Sequence, residues 1–281
     1  MALFDDVLLT VDFDRTLTAQ DSTIPQANLD AIEYFMANGG TFTVNTGRSI
    51  PMSQCFLEKV PTNAPFLMYN GSVWYDAKEK KVVRGYPIEM DPVKMIRQLM
   101  DRFPKLWLEL QGVQRHYLFR ENKMWEAYNE NNSVPWAYGD LDAVEQPFLK
   151  VAFYSKFESN RVSDLYQVVP EEMAMMDEAM DWMKENWGDK LEVYRPCPRL
   201  VDVQAKSCSK LKTARDLQAA LGKKILVCVG DAENDLAMLE GADYAFCPSD
   251  GIVADRFPNV CPCGEGAVAA VIREEIPALL K

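Results

Sequence analysis

Acidic residues stand directly after two apolar runs that are typical of buried strands. The run from Val7 to Val11 ends at Asp12, and a second run, Ile225 to Val229, leads through Gly230 to Asp231. Ligands of an open parallel sheet bind beyond the carboxyl ends of its strands, so we expect these acids to share one crevice. Like charges at short range destabilise a fold unless a cation joins them. The pattern therefore predicts a cation site built from Asp12, Asp14, Asp231 and Asp235.

The elements that must position these acids alternate between strand and helix. A helix begins at Pro25 and stops at Gly39-Gly40, a strand over Thr41 to Asn45 enters the polar turn at Thr46, and a third β segment covers Phe66 to Tyr69. The alternation resumes downstream with a helix around Lys210 to Leu221, the strand Ile225 to Val229, the turn Gly230-Asp231, another helix and the short strand Tyr244 to Cys247. This order predicts an α/β fold, with a Rossmann-like, doubly wound parallel sheet covered by helices on both faces.

The stretch between these two halves has a different texture, rich in aromatic residues, Met and Glu, which indicates an inserted domain over residues 86–195. We therefore predict a discontinuous core formed by residues 1–85 and 196–281. Within the insertion, Met and Trp residues follow alternating steps of three and four and so share one helix face: Met173, Met176, Met180, Met183 and Trp187. Such a stripe is far more often packing surface than a cofactor site.

Composition narrows the range of partners. Acidic residues outnumber basic ones 42 to 30, a formal charge of -12 that repels a nucleic-acid backbone, so we expect no nucleic-acid partner. No apolar run approaches the ~20 residues that cross a bilayer, and the first six residues lack a signal-peptide pattern. We expect a cytoplasmic protein without a membrane partner. Composition and motifs assign no oligomeric state.

Four short motifs resemble those of the haloacid dehalogenase superfamily, and they occur in that family's order. Asp12-Phe13-Asp14-Arg15-Thr16 is similar to its first motif, D-x-D-x-T. The three that follow are Thr46 with Gly47-Arg48, then Lys210, then the segment 230–235, Gly-Asp-Ala-Glu-Asn-Asp. The insertion resembles the α+β cap domain of subclass IIB, the Cof-type sugar phosphatases, and Asn70-Gly71 matches a turn common in that group.

The resemblance implies a role for each motif residue. Asp12 is the expected nucleophile, which takes up the phosphoryl group, and Asp14 the acid and base that serves the leaving alcohol and then the attacking water. Thr46 and Lys210 are expected to stabilise the transferring oxygens. The expected cofactor is Mg²⁺, held by Asp12, Asp231, the carbonyl of Asp14 and, directly or through water, Asp235. The remaining substrate contacts expected from the motifs are Gly47, Arg48 and Asn234.

Simpler interpretations stand beside these roles. Asp14 is also a plausible helix cap, Thr46 a turn former, and Asn234-Asp235 a helix start. Lys212 competes with Lys210, and Arg48 is equally consistent with a surface arginine. His116, the one histidine, is more typical of a structural or surface residue than of a catalytic one. Arg15 departs from the subfamily, which usually has Gly there; a positive φ at that position would cost roughly 1 kcal/mol.

The leading functional hypothesis is a Mg²⁺-dependent phosphatase acting on small phosphorylated metabolites, with sugar phosphates as the first class. A sugar phosphomutase or another phosphotransferase uses the same intermediate and is the nearest alternative. A sensor that binds a phosphorylated metabolite without turnover is the alternative from another class, although such a protein need not keep both Asp12 and Asp14.

Overall fold

The computed structural model describes residues 2–142, 147–155 and 165–281. Its strands are β1 Val7–Val11, β2 Thr41–Val44, β3 Phe66–Met68, β4 Val73–Asp76, β5 Lys81–Gly85, β6 Leu106–Gly112, β7 His116–Phe119, β8 Trp136–Tyr138, β9 Phe148–Ser155, β10 Leu191–Cys197, β11 Leu200–Ala205, β12 Ile225–Val229, β13 Tyr244–Pro248 and β14 Asn259–Val260. Its α-helices are α1 Gln26–Ala37, α2 Ile50–Leu57, α3 Pro92–Arg102, α4 Lys123–Asn131, α5 Pro170–Trp187, α6 Lys210–Ala220, α7 Leu236–Glu240, α8 Ala267–Ala270 and α9 Ile276–Leu279.

Contacts between Cα atoms divide the chain into two compact units. The first unit comprises Met1–Gly47, Phe56–Arg84 and Ser209–Lys281, and the second unit comprises Arg48–Cys55 and Gly85–Cys208. The mixed α/β architecture with a parallel sheet, predicted from the alternating pattern, is confirmed.

A parallel sheet forms the centre of the first unit. Its strands, within the described ranges, run in the order β14-β13-β12-β1-β2. Val11 lies opposite both Val229 and Val44, so the chain leaves β1, β12 and β2 at the same edge. The segment predicted over Phe66 to Tyr69 forms β3, which pairs antiparallel with β4 and meets the end of β2 through one parallel bridge, Asn45 to Leu67.

Helices α6 and α7 bury apolar side chains against one face of this sheet. Leu217 of α6 and Met238 of α7 pack in one cluster with Leu8 and Cys228 from the central strands. Cys228 is fully buried there and serves as a small core residue, as its apolar surroundings in the sequence predict. The first unit therefore holds the carboxyl ends of β1, β2 and β12 on a rigid base.

The second unit is built on an antiparallel sheet. In the part of the chain that the structure describes, its order is β10-β11-β9-β6-β7-β8, and the β7–β8 pair alone is parallel. Helices α3 and α5 pack on one face. Four residues of the predicted stripe on α5 lie in this core, with Met176 and Met183 fully buried and Met180 and Trp187 packed against them, while Met173 is half-buried.

The second unit ends later than the insertion predicted over residues 86–195. Strand β10 begins at Leu191 and continues to Cys197, and β11 pairs with both β10 and β9. A boundary at residue 195 would cut this β-hairpin, so the chain returns to the first unit only after Cys208. The second unit also takes up Arg48–Cys55, which includes most of α2.

Within the described ranges, no helix is both long and apolar enough to span a membrane.

Candidate active site

Asp12 is the first residue beyond β1. Its backbone N–H donates to the carbonyl of Val229 on β12 (2.9 Å), which continues the strand pairing by one residue and fixes the start of the loop. The chain then enters a tight π-type turn over Phe13–Leu17, in which Arg15 has φ 59° and ψ 14°. The Asp12 side chain is 9% exposed. The apolar strand and this turn together hold a carboxylate at the edge of the sheet, almost out of contact with water.

Lys210 brings a cation to Asp12 from the start of α6. The hydroxyl of Ser209 accepts the backbone N–H of Lys212 (3.1 Å) and caps the helix, which makes Lys210 its first residue. The buried ammonium donates to Asp12 Oδ1 at 2.5 Å and to Asp235 Oδ1 at 2.7 Å. Burial by itself lowers the pKa of Lys210, but the charges of Asp12 and Asp235 outweigh it and raise that pKa. Lys210 therefore stays positively charged.

Of the two lysines that competed for this role, the structure places Lys210 beside Asp12. Lys212 lies on the exposed side of α6 and forms an ion pair with Asp216.

The turn after β12 supplies two more carboxylates. Asp235 Oδ2 accepts the backbone N–H groups of Asp231 and Ala232, both at 3.1 Å, and so closes the turn on itself. Asp231 Oδ1 accepts the hydroxyl of Thr16 (3.0 Å), which joins this turn to the one after β1. Gly230 is required here, because a Cβ at that position would lie 2.7 Å from the Cβ of Asp235.

Asp12, Asp231 and Asp235 form one buried cluster. Each offers an oxygen atom within 4.8 Å of the others. Burial, joined by the charges of Asp235 and Asp231, raises the pKa of Asp12 despite the opposing charge of Lys210. Burial and the charge of Asp235 likewise raise the pKa of Asp231 to about 7. Three carboxylates against one ammonium leave an excess of negative charge, which is the condition that a bound divalent cation relieves. All-oxygen ligands suit Mg²⁺.

The loop after β2 is held between β3 and α6. The N–H of Thr46 donates to the carbonyl of Leu67, and the carbonyl of Thr46 accepts the N–H of Asn70, both at 2.9 Å. The buried amide of Asn45 donates to the carbonyl of Lys210 (2.9 Å). This bond ties the end of β2 to the first residue of α6, so the Thr46 loop and the Lys210 ammonium are positioned together.

Two glycines allow this close packing. Gly47 lies against the side chain of Asn70, where a Cβ would come within 2.8 Å of the amide oxygen. Gly71, with φ +95°, packs on the first turn of α6, and a Cβ there would lie 2.4 Å from Thr213 Oγ1. In the sequence, Asn70-Gly71 stood out only as a turn common in subclass IIB. In the structure, this turn is the surface on which the first turn of α6 packs.

The other motif residues occupy these positions. Asp14 and Asn234 are half-buried, the first in the turn after Asp12 and the second in a short 3-10 turn over Glu233–Asp235. Arg48 is grouped with the second unit, whereas Thr46 and Gly47 are grouped with the first.

Sequence reasoning assigned no role to Thr16 or Asn45, although both are polar residues in loops that follow strands of the sheet. Thr16 is the threonine of the D-x-D-x-T pattern, and its place in that pattern could have identified it as a site residue.

The chain matches a protein family and is similar to several known proteins. A family model described as haloacid dehalogenase-like hydrolase matches residues 9–253. The chain is similar to M6_Spy0533 of Streptococcus pyogenes, for which a phosphatase activity is proposed, with 24% identity over 83% of each chain. It is 21% identical to a Bacillus subtilis 5-amino-6-(5-phospho-D-ribitylamino)uracil phosphatase, YitU, over 88% of each. Among solved structures, the subclass IIB sugar phosphatase BT4131 superposes with a TM-score of 0.74, at 18% identity, covering 96% of this chain and 99% of that one.

Proposed function

This chain belongs to the haloacid dehalogenase-like hydrolase family and is a phosphatase, and we propose that it hydrolyses small phosphorylated metabolites with Mg²⁺ through an aspartyl-phosphate intermediate on Asp12. The resemblance found in its motifs is confirmed by the family match. One observation carries the proposal: the Asp12 carboxylate, fixed at the end of β1, lies in a buried cluster with Lys210, Asp231 and Asp235.

The residues present fit a magnesium ion. Asp12 and Asp231 offer carboxylate oxygens, and we assign further ligation to the backbone carbonyl of Asp14. Both oxygens of Asp235 already accept hydrogen bonds, one from Lys210 and the other from two backbone N–H groups, so we give Asp235 a supporting role. When bound, Mg²⁺ supplies the positive charge that lets an anionic phosphate approach an anionic carboxylate.

Each of these side chains has its own role in the two steps of the reaction. In the first step an Asp12 oxygen attacks phosphorus, the bond from phosphorus to the leaving oxygen breaks, and Asp14 gives that oxygen a proton. In the second step Asp14 takes a proton from water, the water oxygen attacks phosphorus, and the bond to Asp12 breaks. Lys210 and Thr46 stabilise the transferring oxygens in both steps. Gly47, Arg48 and Asn234 complete the set of expected contacts to the phosphoryl group.

Phosphorylated sugars and sugar alcohols are the substrate class we favour. Two of the similar proteins described above are named for such substrates, a sugar phosphatase and a phosphoribitylamino-uracil phosphatase. We assign to the second unit the role of a cap that selects the leaving group, as the resemblance implies. The cytoplasmic location stays a prediction.

The test is phosphate release over a panel of sugar phosphates, nucleotides and pyridoxal phosphate, with Mg²⁺ or with EDTA. We expect Mg²⁺-dependent release that Asp12→Asn abolishes, because the amide is not a nucleophile, while Asp30→Asn, an exposed position on α1, leaves it unchanged. Full activity of Asp12→Asn would contradict the mechanism. Isomerised sugar phosphate without free phosphate would indicate a mutase, and saturable binding without any turnover a sensor.

A further inference from the structure

One face of the second unit's sheet carries buried polar side chains. Along each strand the residues alternate, and those facing α3 and α5 are apolar, as with Leu108, Val151 and Val203. On the opposite face, strand pairing places four polar residues side by side across β7, β6, β9 and β11, a set that we name the polar row: His116, Gln111, Lys150 and Gln204. None is more than 5% exposed. Buried polar groups are costly unless they are bonded, so their partners indicate what the row is for.

His116, at one end of the polar row, is bonded through both ring nitrogens. Its Nδ1 lies 2.6 Å from Glu109 Oε1, and its Nε2 lies 2.7 Å from the hydroxyl of Ser49. Burial raises the pKa of Glu109, but the charge and hydrogen bond of His116 outweigh it and hold that pKa below its usual value. The ionised Glu109 therefore orients the ring so that Nε2 faces Ser49. Ser49 is fully buried and also accepts the N–H of Met52 (3.2 Å) in the first turn of α2.

Gln204, at the other end of the row, has a comparable role. Its amide oxygen accepts the hydroxyl of Tyr194 (2.5 Å), which leaves its NH₂ group directed to the carbonyl of Cys208 (3.1 Å). Cys208 is the last residue of the second unit. The polar row is thus bonded at each end to a backbone segment at which the chain passes between the units.

The two segments held in this way lead directly to residues of the proposed phosphate site. Ser49 follows Thr46, Gly47 and Arg48, while Cys208 precedes the Ser209 cap and Lys210. We propose that His116 and Gln204 are positioning residues, which hold these two segments and thereby fix the Thr46 loop and the Lys210 ammonium relative to Asp12. This inference rests on the proposed function for the identity of the site, but the anchoring itself does not depend on turnover.

The Glu109–His116–Ser49 chain has the same three residue types as the triads of serine hydrolases, yet the surroundings favour positioning over nucleophilic attack. A nucleophilic serine must be reached by its substrate, whereas the side chain of Ser49 is enclosed and its oxygen already caps α2. What the chain does accomplish is to fix the direction of the Ser49 hydroxyl, and with it the first turn of α2.

Amide hydrogen exchange over residues 45–50 and 207–211, measured together with kcat and KM for a phosphate ester, tests the inference. Ser49→Ala should speed exchange in the first segment, and Gln204→Met in the second, by about tenfold or more, since each loses the bond that holds it. In each case kcat should fall by about tenfold with a smaller change in KM, because misplaced groups affect the transition state most.

Matched controls separate positioning from loss of stability. Ser155→Ala removes another buried hydroxyl of the second unit, one bonded to Glu172 and Arg199, and should leave exchange in both segments and kcat near wild type. Gln111→Met makes the same change as Gln204→Met in the same row without touching Cys208, and it should leave exchange over residues 207–211 near wild type. Ser49→Thr, which keeps the hydroxyl, should restore both readouts.

Unchanged exchange in Ser49→Ala and Gln204→Met would overturn the anchoring. Faster exchange with unchanged kcat would overturn the link to the phosphate site. If the wild-type protein hydrolyses no phosphate ester at all, the proposed function fails, while the exchange measurement still decides whether His116 and Gln204 hold these segments.

Discussion

At the scale of single residues, Asp231 carries the clearest electrostatic signature of a cation site. Burial and the nearby charge of Asp235 raise its pKa from 3.8 to about 7, against the hydroxyl of Thr16 and the more distant charges of Lys210 and Arg15. A carboxyl group with a raised pKa binds its proton more tightly in the folded chain than in the unfolded one. Its stabilising contribution is therefore complete below pH 3.8 and is lost as the pH rises towards 7.

Asp231→Asn should accordingly stabilise the metal-free protein at neutral pH. The amide oxygen still accepts the Thr16 hydroxyl, and the buried negative charge is gone, so we expect the free energy of unfolding to exceed that of wild type by roughly 3 kcal/mol at pH 8 and by little at pH 4. Urea unfolding in EDTA across this pH range measures the difference. The same variant should lose the rise in melting temperature that Mg²⁺ gives the wild-type protein.

Asp243 provides a control of opposite sign. Burial alone would raise its pKa, but the hydrogen bond from Arg215 and the other contacts lower it, so its ionised form stabilises the fold. Asp243→Asn should lose stability mainly at neutral pH. If Asp231→Asn and Asp243→Asn shifted the stability profile in the same direction, the interpretation of Asp231 would be wrong.

Arg15 occupies a backbone conformation that glycine adopts more readily. With φ 59° and ψ 14° it lies in the left-handed region, as the usual Gly of the subfamily implies for this position. Arg15→Gly and Arg15→Ala both remove the guanidinium, so the difference between them reports the backbone alone. We expect the Gly variant to be more stable than the Ala variant by about 1 kcal/mol in denaturant unfolding. Equal stabilities would show that the turn after Asp12 is unstrained.

Most residues of the carboxylate cluster were predictable because the chemistry restricts their types. A carboxylate at the end of a buried strand has few structural explanations, so Asp12 and Asp231 stood out from the sequence. Asn45 did not, since an asparagine in a turn is common and its bond to the Lys210 carbonyl joins residues far apart in the chain. Long-range hydrogen bonds of this kind become visible only when the elements are packed.

At the scale of elements, the packing of α6 against the Asn70-Gly71 turn determines where Lys210 lies. Gly71 has φ +95° and packs so closely that a Cβ would lie 2.4 Å from Thr213 Oγ1 and 2.6 Å from the carbonyl oxygen of Ser209. Any side chain at this position must push the first turn of α6 away from the sheet. The backbone geometry of the Asn70-Gly71 turn therefore affects where the Lys210 ammonium lies at the start of α6.

Gly71→Ala should therefore reduce both stability and activity. We expect a loss of roughly 2–4 kcal/mol from strain and overpacking, and a lower kcat because Lys210 moves with Ser209. Gly222→Ala is the matched control, since Gly222 also has a positive φ (+63°) but no atom within 4 Å of an added Cβ. It should cost about 1 kcal/mol and leave kcat unchanged. Comparable losses in the two variants would remove the steric argument.

Elements of the first unit were easier to predict than those of the second. Strands such as β1 and β12 are continuous apolar runs bounded by turns. Strand β9 is buried along its whole length and yet contains Lys150, and β11 buries Asp202 and Gln204. Where one face of a buried sheet is polar, the spacing of apolar residues does not predict which residues are buried. The pairing of these strands was therefore known only from the structure.

At the scale of the whole molecule, the chain passes between the two units near residue 85, close to the predicted boundary, and also at the ends of the segment 48–55 and after Cys208, which sequence texture did not reveal. The segment Arg48–Cys55 groups with the second unit although it directly follows a strand of the first. In this segment, Ser49 forms a buried hydrogen bond with His116 of the second unit's sheet. The two units have separate cores, which suggests that a ligand bound by one need not stabilise the other.

Magnesium binding should consequently protect the two units unequally. The candidate ligands all lie in the first unit, and binding stabilises only the states in which that unit is folded. In native-state hydrogen exchange, we expect Mg²⁺ to slow exchange of the amides of β1 and β12, while those of β6 and β9 keep their metal-free rates. Asp231→Asn should abolish the protection at β1 and β12. Equal protection of all four strands would instead mean that the units unfold as one cooperative body, so that stability gained at the carboxylate cluster extends to the second unit's sheet.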